Sequence, residues 1–160
     1  MVGYANIRHN FDRTQQKNNP QSLINFVDLQ NNSVDGVIIL KNALENGELV
    51  AMMGDRFVDG SRPRIVFADF LKKEAAFPEN PWIVANLLEA PVFMVAATRG
   101  TDMKYSCVIE QAADKVVLDP KTRSLDMSRY VKLYARFLES ICVQYPYQWF
   151  NFYDFWSKRI

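Results

Sequence analysis

The chain has 160 residues and a formal net charge of +1, a length that fits one domain with a sizeable core. Hydrophobic residues make up 49% and charged residues 23%, ordinary globular usage that excludes a disordered chain. Near-neutral, well-mixed charge excludes strong overall attraction to nucleic acid or an anionic surface, and no apolar run reaches the roughly 18 residues a membrane-spanning helix needs.

Val2 to Ile7 alternates weakly and reads as a short strand, followed by a polar loop or ragged helix from Asn10 to Ser22 with Asn18, Asn19 and Pro20 as breakers. Leu23 to Leu29 reads as a strand on its β-formers Ile24, Phe26 and Val27. Asn31, Asn32 and Ser33 are N-cap candidates for a helix from Val34 to Asn46, and Gly47 sits where a left-handed C-terminal residue belongs. Leu49 to Met53 is a continuous apolar run, expected as a buried parallel strand that ends at Gly54. Ile65 to Ala68 is a further strand. Asn80 and Pro81 open a helix that runs to Glu89 and stops before Pro91. Pro91 to Ala97 is a strong strand, Tyr105 to Ile109 its neighbour, and Val116 to Leu118 a short edge strand. Ser128 to Val143 is the clearest helix. Tyr130, Tyr134, Phe137, Leu138 and Ile141 form its apolar stripe, with Arg129, Lys132, Arg136 and Glu139 facing water. Strands alternating with helices predict an α/β fold: a mixed, largely parallel sheet flanked by helices, ending in a long helix and an aromatic tail. The whole of residues 1–160 reads as one domain.

Little of this sequence carries obvious chemistry. Cys107 and Cys142 lie far apart with no CxxC spacing or His cluster, so no metal site is expected. Both sit in apolar patterns and read as buried free thiols, in keeping with a reducing compartment. The opening MVGYANIRHN has no apolar core of a signal peptide. His9, the single histidine, lies in a polar segment three residues before Asp12, where a surface role outweighs that of a general base. The glycines form no GxGxxG or Walker pattern. Gly54-Asp55-Arg56 is different, because ligands of α/β sheets bind beyond the carboxyl ends of strands. An Arg there can grip phosphate or carboxylate, with Asp55 orienting it. A structural Asp–Arg pair tying a loop to the sheet accounts for the same residues equally well. Tyr145 to Trp156 holds eight aromatics in twelve residues, which must pack back on the domain or meet a membrane interface.

Four segments together resemble a known family. Leu44-Glu-Asn-Gly-Glu-Leu-Val-Ala-Met-Met-Gly-Asp-Arg56 is similar to the "L…GE.VA…DR" segment of the late lipid A acyltransferase branch of the lysophospholipid acyltransferase superfamily. Phe70-Leu71 with Ala75, Phe77 and Pro78 resembles its "FLG..A.FP" stretch, and Pro91-Val92 with Arg99 its "PV……R" strand. Leu138-Glu139, Tyr145-Pro146 and Gln148 to Trp156 resemble its "LE….YP.QWFNF.DFW" ending. Lys72 stands where the family usually has Gly, and Glu74 where it often has Pro. The larger departure is the family's HxxxxD motif, whose His acts as general base on the acceptor hydroxyl. His9 would need an acid at position 14, and that residue is Thr14. The motif is expected upstream of the first strand, so the chain reads as a fragment, a truncated form or a relative that lost its catalytic half.

The resemblance implies transfer of a fatty acyl group from an acyl carrier protein or coenzyme A thioester to a glycolipid or lysolipid hydroxyl. The thioester is a substrate, and no resident cofactor, metal or nucleic acid is implied. Asp55 and Arg56 would line the acceptor side of the cleft, with Arg13 and Arg99 as contacts to phosphate or oxyanion. Trp149, Phe150, Phe152, Phe155 and Trp156 would support the cleft or touch a membrane. The implied location is cytoplasmic, peripheral on the inner face of the bacterial inner membrane. The alternative is a non-catalytic module that binds lipid or a partner chain.

Overall fold

The computed structural model describes residue 27 and residues 34–57 and 64–156. The expected strands at Val2 to Ile7 and Leu23 to Leu29 (Val27 apart), the N-cap candidates, His9, Arg13 and the loop at 59–63 lie outside them. Among the described residues there are three helices and two small sheets. They divide into two compact units that meet between Met53 and Gly54.

In the first unit, α1 spans Val34–Glu45. It ends as the sequence predicts: Gly47 takes φ 79°, its N–H donates to Leu44 O at 2.9 Å, and Glu48 N–H donates to Ala43 O at 2.9 Å. That pair of bonds is a Schellman motif, which satisfies carbonyls the helix cannot reach. Residues 49–53 are not a strand. Leu49 is 93% exposed and Met53 half-exposed, so the apolar run is not buried between helices as expected.

The second unit is built from two hairpins, a short helix and a long one. β1 (Ile65–Phe70) and β2 (Lys73–Pro78) pair antiparallel, as do β3 (Val92–Arg99) and β4 (Tyr105–Ala113). The expected largely parallel sheet is therefore incorrect. Only Leu71 and Lys72 separate β1 from β2, and a parallel pair needs a crossover of about a dozen residues. Helix α2 (Asn80–Leu88) does lie between β2 and β3, but those two strands belong to different sheets. β2 itself was not foreseen, because Lys-Glu-Ala-Ala-Phe-Pro contains no β-branched residue. The adjacency of β3 and the strand from Tyr105 is as expected.

Val116 to Leu118 forms no edge strand. Its amides go to side chains instead: Leu118 N–H donates to Asn86 Oδ1 at 2.9 Å and Val117 N–H to the Tyr130 hydroxyl at 3.2 Å. Val116 and Leu118 are still buried in the core, anchored without a ladder.

The long helix α3 (Arg123–Gln144) organises this unit. Met127, Val131, Ala135 and Leu138 enter the main core with Phe70, Phe77, Trp82 and Phe155. Phe137 and Ile141 pack with Met94 against the β3–β4 hairpin. The predicted stripe is thus the buried face, and Arg129, Lys132 and Arg136 are exposed. Glu139 departs from expectation: its Oε1 accepts the Leu71 N–H at 2.9 Å, tying the β1–β2 turn to the helix.

That turn carries two non-glycine residues at positive φ, Leu71 at 51° and Lys72 at 65°. Two-residue hairpin turns of this kind prefer Asn or Gly, because a Cβ crowds the backbone in the left-handed region. Lys72→Gly is expected to raise stability by about 0.5–1 kcal/mol, the relief of strain less the extra freedom of glycine when unfolded. Urea unfolding of the two chains measures it.

Candidate functional site

Three sequence-predicted residues converge on one stretch of the C-terminal tail. After α3 the chain turns at Pro146, and residues 148–156 run back over the second unit without regular structure. Gln148 is the first anchor. Its Oε1 accepts the Arg99 N–H at 2.7 Å and its Nε2 donates to Arg99 O at 2.8 Å, so one side-chain amide mimics a strand neighbour for the end of β3. The next residue meets Asp55: Trp149 Nε1 donates to Asp55 Oδ2 at 3.1 Å. Arg56 then donates through Nη2 to Phe150 O at 2.6 Å, and its guanidinium lies 5.6 Å from the centre of the Tyr153 ring. Tyr153 returns a bond from its hydroxyl to Asp55 O at 3.0 Å.

Asp55 is 5% exposed, which makes its carboxylate costly unless it is satisfied. The Trp149 indole and the Arg56 Nε at 3.8 Å, both on Oδ2, supply that compensation. Gly54 beside it must be glycine. A Cβ there would sit 2.6 Å from Cζ of the Tyr134 ring, so any other residue requires that ring to shift. Burial, reinforced by the Asp55 charge, raises the Tyr134 phenol well above its ordinary pKa, so Tyr134 remains neutral and cannot serve as a base. Nothing in the sequence signalled Gln148 and Tyr153 as partners or Tyr134 as the neighbour of Gly54, since each contact joins residues far apart in the chain.

The expected site residues separate as follows. Asp55, Arg56 and Arg99 all meet residues 148–150, but residues 49–53 before them are irregular, so the turn is not the carboxyl end of a strand. Arg99 is exposed, with its guanidinium 5.8 Å from the Tyr105 ring. Arg13 lies outside the described residues. The tail aromatics divide. Phe155 is buried and Trp149 and Trp156 partly so, all three with ring centroids 5.1–6.1 Å from that of Phe70. Phe150 and Phe152 are exposed, 6.4 Å apart. The side-chain oxygen and nitrogen of the partly buried Asn151 are shielded from solvent and have no hydrogen-bond partner among the described residues. A cleft of about 370 Å³ lies elsewhere, lined by Val66, Glu79, Lys121, Arg123 and Met127, and shares no residue with this cluster.

The cysteines also divide. Cys107 is exposed, contrary to expectation, because it falls on the outward side of β4. Cys142 is buried in α3, and burial, with the charges of Asp55 and Glu139, pushes its thiol from 9.0 up to about 11. Iodoacetamide at mildly alkaline pH is therefore expected to modify Cys107 in the folded chain and spare Cys142, as mass spectrometry of peptides will show. A raised thiol pKa favours the folded state while the unfolded thiol is still protonated. Its stabilising contribution is full below 9.0 and is lost as pH rises from there towards 11.

No curated protein matches the chain. The sequence profile of the bacterial lipid A biosynthesis acyltransferases matches residues 6–158, nearly the whole length, and the chain belongs to that family.

Proposed function

We propose that this chain contributes the acceptor side of an acyltransferase that moves a fatty acyl group from a carrier-protein or coenzyme A thioester to a glycolipid or lysolipid hydroxyl. The family match carries the reaction class. The cluster around Asp55 supports the assignment of side: it sets a partly exposed cation, Arg56, beside a buried carboxylate, groups suited to holding a polar head group. Arg99 adds a second exposed cation at the end of β3.

In the reaction the acceptor oxygen forms a bond to the thioester carbonyl carbon, the carbon–sulfur bond breaks, and the hydroxyl proton must be removed. These 160 residues contain no HxxxxD to take it, since Thr14 stands five positions after His9. Asp55 is a poor substitute, with its Oδ2 already accepting from Trp149 and facing Arg56. The chain alone is therefore proposed to be inactive. The implied place of action is the cytoplasmic face of the inner membrane, and no helix of the described residues is long and apolar enough to cross a membrane.

The second reading, a non-catalytic module that binds lipid or a partner, is favoured by the engagement of Asp55 and Arg56 in internal bonds. One assay separates the two. Labelled acyl carrier protein and a lysolipid acceptor are incubated with the chain alone, and with the chain joined behind an HxxxxD-bearing segment of another family member. The expected result is no transfer alone and transfer by the joined protein, falling about tenfold or more with Arg56→Ala. Turnover by the chain alone that Arg56→Ala abolishes would overturn its proposed inactivity. Lipid binding with no transfer in either form would favour the module.

A further inference from the structure

β4 lies at an open edge. It pairs only with β3 among the described residues, and none of its residues is fully buried. The turn before it fixes which main-chain groups face outward. Gly100 N–H donates to Lys104 O at 2.9 Å, while the Arg99 N–H and C=O are both engaged by Gln148 and not by the opposite Tyr105. Antiparallel pairs alternate between bonded and non-bonded, so Tyr105, Cys107 and Ile109 turn their N–H and C=O away from β3. No partner for these groups is present among the described residues. The same three side chains share the outer face of the hairpin, with Tyr105 74% and Ile109 61% exposed and Cys107 exposed beside them. Edge strands are ordinarily blunted by lysine, proline or a bulge, because an open ladder recruits another strand. β4 has neither residue, its one charge is Glu110, and its irregularity lies at the far end, opposite Val92 and Phe93.

We propose that β4 pairs antiparallel with β4 of a second copy about a two-fold axis at Cys107, joining the two hairpins into one four-stranded sheet. A two-fold pairing uses the same edge on both copies, and here the outward groups of Tyr105, Cys107 and Ile109 meet their own kind. In this register Tyr105 lies across from the partner's Ile109, an aromatic against a β-branched side chain, and Lys104 lies across from the partner's Glu110. Opposite charges directly across a ladder attract and like charges repel, which selects the register. A slip of two residues either way, the smallest that keeps the outward groups facing, sets Glu110 against the partner's Ser106 or the partner's Asp102 instead. Glu110 is in no ion pair among the described residues. Lys104 lies 3.7 Å from Asp102, but both side chains are exposed, and such a pair is weak enough to give way. The axis brings Cys107 against its own copy. Opposite residues of an antiparallel pair have Cα atoms about 4.5–5.5 Å apart, within the roughly 4.4–6.8 Å that a disulfide spans. The inference goes beyond acyl transfer and stands whether or not the chain takes part in it.

Sedimentation velocity of the full chain tests it. One short edge makes a small interface, so the chain is expected to pass from monomer to dimer over about 1–100 µM. Glu110→Lys sets like charges together twice across the axis and is expected to weaken the dimer about tenfold or more. The swapped variant Lys104→Glu/Glu110→Lys restores opposite charges and should return the Kd to within about threefold of the wild type. Both positions are exposed, so the melting temperature should not change. Mild oxidation should trap the dimer through Cys107, as a band on a non-reducing gel that Cys107→Ser removes. A monomer at every concentration, a dimer indifferent to Glu110→Lys, or one that the swapped variant fails to restore would overturn the pairing. So would a dimer that oxidation leaves unlinked.

Discussion

A buried carboxylate is the constraint on which the second unit turns. Asp55 cannot be left alone in the interior, because an uncompensated buried charge costs several kcal/mol, roughly the whole stability of a small domain. Its partners come from the far end of the chain, through the Trp149 indole and the adjacent Arg56, which in turn holds Phe150. Satisfying Asp55 therefore dictates the path of the tail. Once Trp149 is placed, Phe155 and Trp156 fall against Phe70, which joins the tail to the β1–β2 hairpin and to α3. Two of the segments that resemble the family, the one ending in Asp55-Arg56 and the aromatic ending, are thus two halves of one contact.

The fold was legible in the sequence where local chemistry decides it. Gly47 required a left-handed residue after α1, Pro81 opened α2, and the 3.6-residue stripe of α3 marked its buried face. Each of these signals acts within a few residues. Sheet arrangement was misread because it depends on which strands meet. β2 lacks β-branched residues and passes for a loop, and without it the short Leu71–Lys72 turn, hence the antiparallel pairing, is invisible. Residues 49–53 show the opposite error. Their apolar character suggests a buried strand, but a strand needs a neighbour, and Leu49 is almost fully exposed.

The site was half legible. Asp55 and Arg56 stand out in the sequence as residues that need an explanation, and the sequence leaves open whether they serve a ligand or the fold. The structure gives both side chains internal partners, and the proposed ligand role rests on the part of the Arg56 guanidinium that those bonds leave over. None of the partners was readable, because Gln148, Trp149 and Tyr153 look from the sequence like any aromatic-rich packing segment. The division of that segment into buried and displayed rings follows from irregular backbone held at fixed points, which no periodicity encodes.

The most direct test of this account is a double-mutant cycle between Asp55→Ala and Trp149→Phe, followed by urea unfolding. If the buried carboxylate places the tail, the two substitutions are coupled by about 1.5–3 kcal/mol, the range of hydrogen bonds to charged groups. Effects that add to within about 0.5 kcal/mol would show that Asp55 and Trp149 act independently, and would contradict the claim that one contact joins the two halves.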